Sequence, residues 1–82
     1  MSLRDARISL TKARRYYAAG LYKYALRDLI KAEQAYARVT LSLRENLQKT
    51  SVEQAAYDYS GTVERAIELG IELEEFRKEM TK

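Results

Sequence analysis

Several residue types are missing from this 82-residue chain, and each absence removes a class of chemistry. Without cysteine there is no disulfide framework, no thiolate nucleophile and no cysteine-ligated metal. Without histidine, the usual zinc and copper ligands and the commonest general base near neutral pH are also missing. An enzyme would need aspartates and glutamates that converge in a cleft. We therefore expect a non-catalytic protein with no metal and no cofactor.

Long hydrophobic runs are absent as well. No apolar segment approaches the roughly 20 residues that span a bilayer, and the first ten residues lack the apolar core of a secretory signal. We expect a soluble cytoplasmic protein. A charged fraction of 33%, with no cysteine and no proline, is typical of thermophile proteins.

The chain contains no proline and only 3 glycines, and apolar residues recur at helical spacing almost throughout. This pattern predicts an all-α fold, a three-helix antiparallel bundle in a single domain, residues 1–82. Helix 1 is predicted over 3–18 and ends before Gly20, which favours a left-handed cap and a tight turn. Helix 2 is predicted over 22–48. Helix 3 is predicted over 52–79, after a capping residue at Ser51.

Two features of the longer helices bear on packing. Helix 2 carries a second apolar row beside its main stripe, which predicts contacts with two other helices. This row comprises Leu26, Ile30, Ala37 and Leu41. On helix 3, Ile67 and Ile71 are expected to widen the core stripe. Gly61 is predicted to bend helix 3 without breaking it, and the alternative is a break that folds 52–59 back as a fourth helix.

The helix lengths predict that one end of the bundle contains only two helices. Helix 1 is about 24 Å long and helices 2 and 3 are each about 40 Å long, so the far ends of the longer helices lack a third helix. Exposed apolar groups mark partner sites. The predicted partner-binding residues at this end are Leu41, Leu43, Leu47, Tyr57 and Tyr59.

Charge is divided between the two halves of the chain. Residues 1–49 contain 11 basic and 4 acidic side chains, whereas residues 50–82 contain 4 and 8. An acidic row on helix 3, opposite its core stripe, is interpreted either as a solvated face or as a docking face. With Ile8, it is predicted to line a second partner groove between helices 1 and 3. The docking residues of this row are Glu64, Glu68 and Glu72.

The basic side chains offer an alternative function. Clustered Lys and Arg bind the phosphate backbone of nucleic acids. The residues predicted for this role are Arg4, Arg7, Arg14, Arg15, Arg27, Lys31 and Arg38.

The segment 13–32, ARRYYAAGLYKYALRDLIKA, carries small and large residues at the spacing of a tetratricopeptide-type helical hairpin. Small residues at Ala13, Ala25 and Ala32 allow two helices to approach closely. The segment also resembles the MIT domain, a three-helix bundle of about this length found on ATPases of the ESCRT system. A lone hairpin followed by a long third helix is more similar to the MIT domain than to a repeat array, which needs about three units. The resemblance implies binding of helical peptides between helices.

These observations predict a non-catalytic protein–protein interaction module, either an adaptor or a small subunit of a larger assembly. Its partner is expected to be a helical protein or a second copy of the chain, giving a homodimer or a hetero-complex. No membrane contact is expected. The alternative is a nucleic-acid-associated accessory subunit that uses the basic face of helices 1 and 2.

Overall fold

A computed structural model describes residues 2–82 of the chain. The three helices are α1 (Leu3–Ala18), α2 (Tyr22–Gln48) and α3 (Val52–Met80), and no strand lies in this range. The all-α fold and the predicted helix boundaries are therefore confirmed, except that α3 extends one residue further.

The helix ends follow from local hydrogen bonds. Ser2 and Asp5 form a reciprocal capping box at the start of α1, in which the Asp5 amide donates to Ser2 Oγ and the Ser2 amide donates to Asp5 Oδ2. Gly20 has φ +78°, and the Leu21 amide donates to the Tyr16 carbonyl across the turn. At α3, Ser51 Oγ accepts from the Gln54 amide at 3.2 Å.

The core lies where all three helices meet. Small side chains on α1 and α2 let these helices approach closely, while α3 contributes larger apolar groups. The buried cluster contains Ala6, Leu10, Ala13, Leu29, Ala32, Ala35, Leu69, Leu73 and Phe76. Leu3, Tyr17, Tyr36 and Met80 are partly buried against it.

The second apolar row of α2 was wrongly predicted to contact another helix. Leu26, Ile30, Ala37 and Leu41 are all exposed. The reason is that α3 meets α2 along Leu29, Glu33 and Tyr36, which lie on the adjacent side of the helix.

The flanking residues of α3 require a similar correction. Ile67 and Ile71 do not widen the core, because both are exposed. Leu69 and Phe76 are buried in the core instead.

α3 continues without interruption through Ser60 and Gly61, so the alternative with a fourth helix is wrong. Because α1 has 16 residues and α3 has 29, the molecule is elongated, with dimensions of 47 × 19 × 16 Å. We call residues 38–62, the end furthest from Gly20, the far hairpin. Within residues 2–82, no helix combines the length and the apolar character needed to cross a membrane.

Candidate partner-binding surfaces

The five apolar residues predicted to bind a partner at the far hairpin do not form one surface. Leu43, Leu47 and Tyr59 are half-buried along the seam between α2 and α3. Leu41 and Tyr57 lie on the outside of the hairpin, with exposed fractions of 57% and 87%. Val52, near the tip, is 86% exposed. The hairpin therefore presents apolar groups in several directions.

An open groove of about 420 Å³ lies between α2 and α3 in the far hairpin. Val39, Leu43 and Tyr59 supply its apolar part. Its polar lining was missed in the sequence and consists of Arg38, Ser42, Asn46, Asp58 and Thr62. The Asp58 carboxylate also accepts a hydrogen bond from Gln54 Nε2 at 2.7 Å, one turn away on α3.

The acidic row of α3 was predicted to lie opposite the core, but not all of its members do. Glu72 is half-buried beside α1, where its carboxylate contacts Arg7 at 3.1 Å and Arg14 at 3.8 Å. Glu68 lines a shallow depression with Arg7, Ile71 and Glu72. Glu64 is exposed. Part of the row thus holds α1 against α3 and is not a purely solvated face.

Ile8 and two residues of the acidic row, Glu68 and Glu72, border two depressions that share Arg7. Ile8 lies in a different depression on α1, with Arg4, Thr11 and Arg15 among its neighbours. Arg7 lines both depressions, because its side chain reaches from α1 to Glu72 of α3.

The predicted basic residues also separate into groups. Arg15, Arg27 and Lys31 line a cleft of about 390 Å³ between α1 and α2, which we call the basic cleft. Arg4 lies on the outer face of α1, whereas Arg7 and Arg14 contact Glu72. Arg38 lines the groove of the far hairpin. Lys12, Tyr16 and Asp28 complete the basic cleft and were not among the residues predicted for this role.

Asp28 is an unusual member of the basic cleft because it is only 4% exposed. Its Oδ2 accepts no hydrogen bond from any residue that the structure describes, and the Arg27 guanidinium lies 3.8 Å away. The sequence signal that was missed is the spacing of Asp28 with Ala25, Ala32 and Ala35, which are buried on the same side of α2.

Aromatic residues beside the basic cleft connect α1 to α2. The rings of Tyr16 and Tyr24 are 5.5 Å apart, and the Arg27 guanidinium lies 5.1 Å from the centre of the Tyr24 ring. These contacts orient Arg27 along the wall of the cleft.

The opposite end of the α2–α3 seam is closed by a bidentate ion pair. Arg77 donates from Nε and Nη2 to the two carboxylate oxygens of Glu33, at 2.6 and 2.5 Å. Hydrogen bonding to Glu33, and then its negative charge, raise the pKa of Arg77. Beside this pair, Tyr22, Leu26 and Met80 line a groove of about 290 Å³.

In the described part of the chain, no three acidic side chains lie close enough together to hold a metal ion. No protein-family model, curated protein or solved structure matches this sequence.

Proposed function

We propose that this protein is a non-catalytic interaction module, an adaptor or small subunit that binds a helical partner or self-associates through the far hairpin. The observation that carries the proposal is the open α2–α3 groove of the far hairpin, beyond the reach of α1. A cytoplasmic location is part of the proposal.

Packing energetics support a partner at this end. Near α1, the core residues of all three helices are buried, whereas Val52 and Tyr57 leave most of their side chains in water. Burying one such side chain contributes about 1.5–3 kcal/mol, so a partner that covers several of them gains substantial free energy. The resemblance of residues 13–32 to MIT and tetratricopeptide hairpins supports a helical partner.

The proposal is tested by affinity capture from the organism that encodes the protein, using two matched variants. One variant carries Leu41→Glu and Tyr57→Glu in the far hairpin. The other carries Ile67→Glu and Ile71→Glu outside it. All four side chains are exposed, so both variants are expected to keep the helical circular dichroism spectrum of the native protein.

We expect the native protein and the Ile67/Ile71 variant to retain the same partner, and the Leu41/Tyr57 variant to lose it. If the Leu41/Tyr57 variant retains every partner of the native protein, the outer apolar side chains of the far hairpin do not bind the partner. Glu64, Glu68 and Glu72, with Ile8, remain a second proposed surface, in which Arg7 lines the depression of Ile8 as well as that of Glu68 and Glu72.

A second candidate function is binding of a nucleic-acid backbone at the basic cleft. Four cationic side chains gather there, namely Lys12, Arg15, Arg27 and Lys31. Backbone binding predicts an affinity that falls steeply with salt concentration. The test measures fluorescence anisotropy of labelled single-stranded RNA and DNA for the native protein, for Arg15→Gln with Lys31→Gln, and for Arg44→Gln with Lys49→Gln as control. Binding that is absent, or equally weakened in both variants, would exclude this function.

A further inference from the structure

The groove of the far hairpin lies where α1 would continue if that helix were longer. On α2, Ala25, Asp28, Ala32 and Ala35 are buried at alternating spacings of three and four residues, on the side that packs against α1. The same spacing continues through Val39, Ser42 and Asn46, which all line the groove. One face of α2 therefore contacts α1 along its first half and borders the open groove along its second half.

The same continuity holds on α3. Leu69 packs in the core with α1, and Glu72 binds Arg7 and Arg14 of α1. Thr62 and Asp58 precede Leu69 by seven and eleven residues, or about two and three helical turns, and both line the groove. Since α1 begins at Leu3, the groove is the place that a longer α1 would occupy.

The lining of the groove indicates the chemistry of its occupant. Ser42, Asn46, Asp58 and Thr62 offer hydrogen-bond donors and acceptors around an apolar seam. The far hairpin contains three basic and three acidic residues, whereas the whole chain has a net charge of +3. A strongly charged partner gains little from a neutral surface of this kind. A second neutral hairpin meets no net repulsion there.

We propose that the far hairpins of two copies pack against each other in antiparallel orientation and complete a four-helix bundle. Each copy covers the groove of the other, in the position that α1 occupies elsewhere in the molecule. This proposal rests on the proposed interaction function and names the partner. A two-fold axis makes such an interface isologous, because each contact between two residues of the two copies occurs twice.

The size of the surface predicts a reversible dimer. The far hairpin is about 20 Å long and the molecule is 19 Å wide. That face measures roughly 400 Å², about half of the roughly 800 Å² that each partner of a standard specific interface buries, which is the size of a weak, transient contact. We therefore expect dissociation in the micromolar range or weaker, and not an obligate dimer.

Sedimentation equilibrium tests the proposal on the full chain from about 1 μM to about 1 mM. Ser42→Arg places a long cation inside the groove. Ser60→Arg makes the same substitution on the outer face of α3, outside the groove lining. Ser42 and Ser60 are both exposed, so both variants are expected to fold, and thermal unfolding at low concentration checks this.

We expect a monomer–dimer equilibrium for the native protein, the same equilibrium for Ser60→Arg, and at least tenfold weaker dimerisation for Ser42→Arg. A native protein that stays monomeric throughout overturns the proposal, and so does a dimer that Ser42→Arg leaves unchanged. A monomeric result leaves the capture experiment on Leu41 and Tyr57 intact, so failure of this inference is distinguishable from failure of the proposed function.

Discussion

At the scale of single residues, α2 and α3 approach closely where Tyr36 meets Gly70. The Tyr36 hydroxyl donates to the Ala66 carbonyl at 2.8 Å. A Cβ on Gly70 would lie 2.5 Å from that hydroxyl oxygen and 3.1 Å from ring atom Cζ. Gly70→Ala therefore has to displace Tyr36 and break its hydrogen bond. The displacement outweighs the roughly 1 kcal/mol that alanine gains over glycine in a helix.

For Gly70→Ala we expect a net loss of about 1 kcal/mol in the free energy of unfolding, measured by urea denaturation with circular dichroism. The loss should be smaller in a Tyr36→Phe background, which lacks the hydroxyl. Gly61→Ala is the matched control, since among residues 2–82 only the Arg65 guanidinium lies within 4 Å of its Cβ position. It should stabilise the protein by up to about 1 kcal/mol. Equal stabilisation by both alanines would show that the contact is not tight.

The buried Asp28 carboxylate gives a second prediction at this scale. Asp28 lies in the basic cleft with four cationic side chains, and their attraction is expected to outweigh the cost of burying a carboxylate oxygen without a hydrogen bond. Asp28→Asn should lower the free energy of unfolding by about 1 kcal/mol at low salt, with a smaller loss at high salt. Asp58→Asn, at an exposed position, is the control. Unfolding in urea at two salt concentrations gives the comparison, and equal stability of Asp28→Asn and the native protein would refute the prediction.

At the scale of the helices, the two halves of α2 differ in what supports them. The first half packs against α1 and α3, whereas residues beyond Tyr36 have α3 alone as a neighbour in the described fold. In a dilute monomer, amide hydrogens of residues 40–58 should exchange faster than those near Leu29 and Leu69, because fewer apolar contacts oppose local opening. Hydrogen exchange followed by NMR measures this gradient. Uniform protection along α2 would contradict it.

Helix ends could be predicted from this sequence because local residues determine them. Ser2, Gly20 and Ser51 terminate helices through their own hydrogen bonds and backbone angles, and all three boundaries were found where expected. The side of each helix that packs against its neighbours was harder to predict, because the rotation of a helix about its axis depends on contacts between helices. The sequence placed Ile30 and Ile71 in contact with neighbours, but both are exposed.

The site was predicted less completely than the fold for the same physical reason. Leu43 and Tyr59 were identified because they are apolar and lie where only two helices were predicted. Ser42 and Asp58 line the same groove, but the sequence alone does not distinguish a polar residue that lines a groove from one on a solvent-exposed face. Only the burial of Ala32 and Ala35 against α1 reveals that Ser42 lies on the same face.

At the scale of the whole molecule, ion pairs tie the helices together in the half that contains α1. Glu72 binds arginines of α1, and Glu33 binds Arg77 across the α2–α3 seam. The far hairpin instead keeps a neutral groove open at one tip of a rod 47 Å long. In the proposed dimer, the half that contains α1 presents the hairpin, and association at the tip should leave that half unchanged.

This arrangement makes the shape of a dimer diagnostic. Two rods of 47 Å that overlap only along hairpins about 20 Å long should give a particle with a maximum dimension of about 75 Å. A dimer formed through the exposed row of Leu26 and Ile30 would lie side by side and would remain close to the length of one molecule. Small-angle X-ray scattering over a concentration series separates these outcomes. The native protein at the lowest concentration provides the monomer reference, and a dimer no longer than this monomer would place the contact away from the tip.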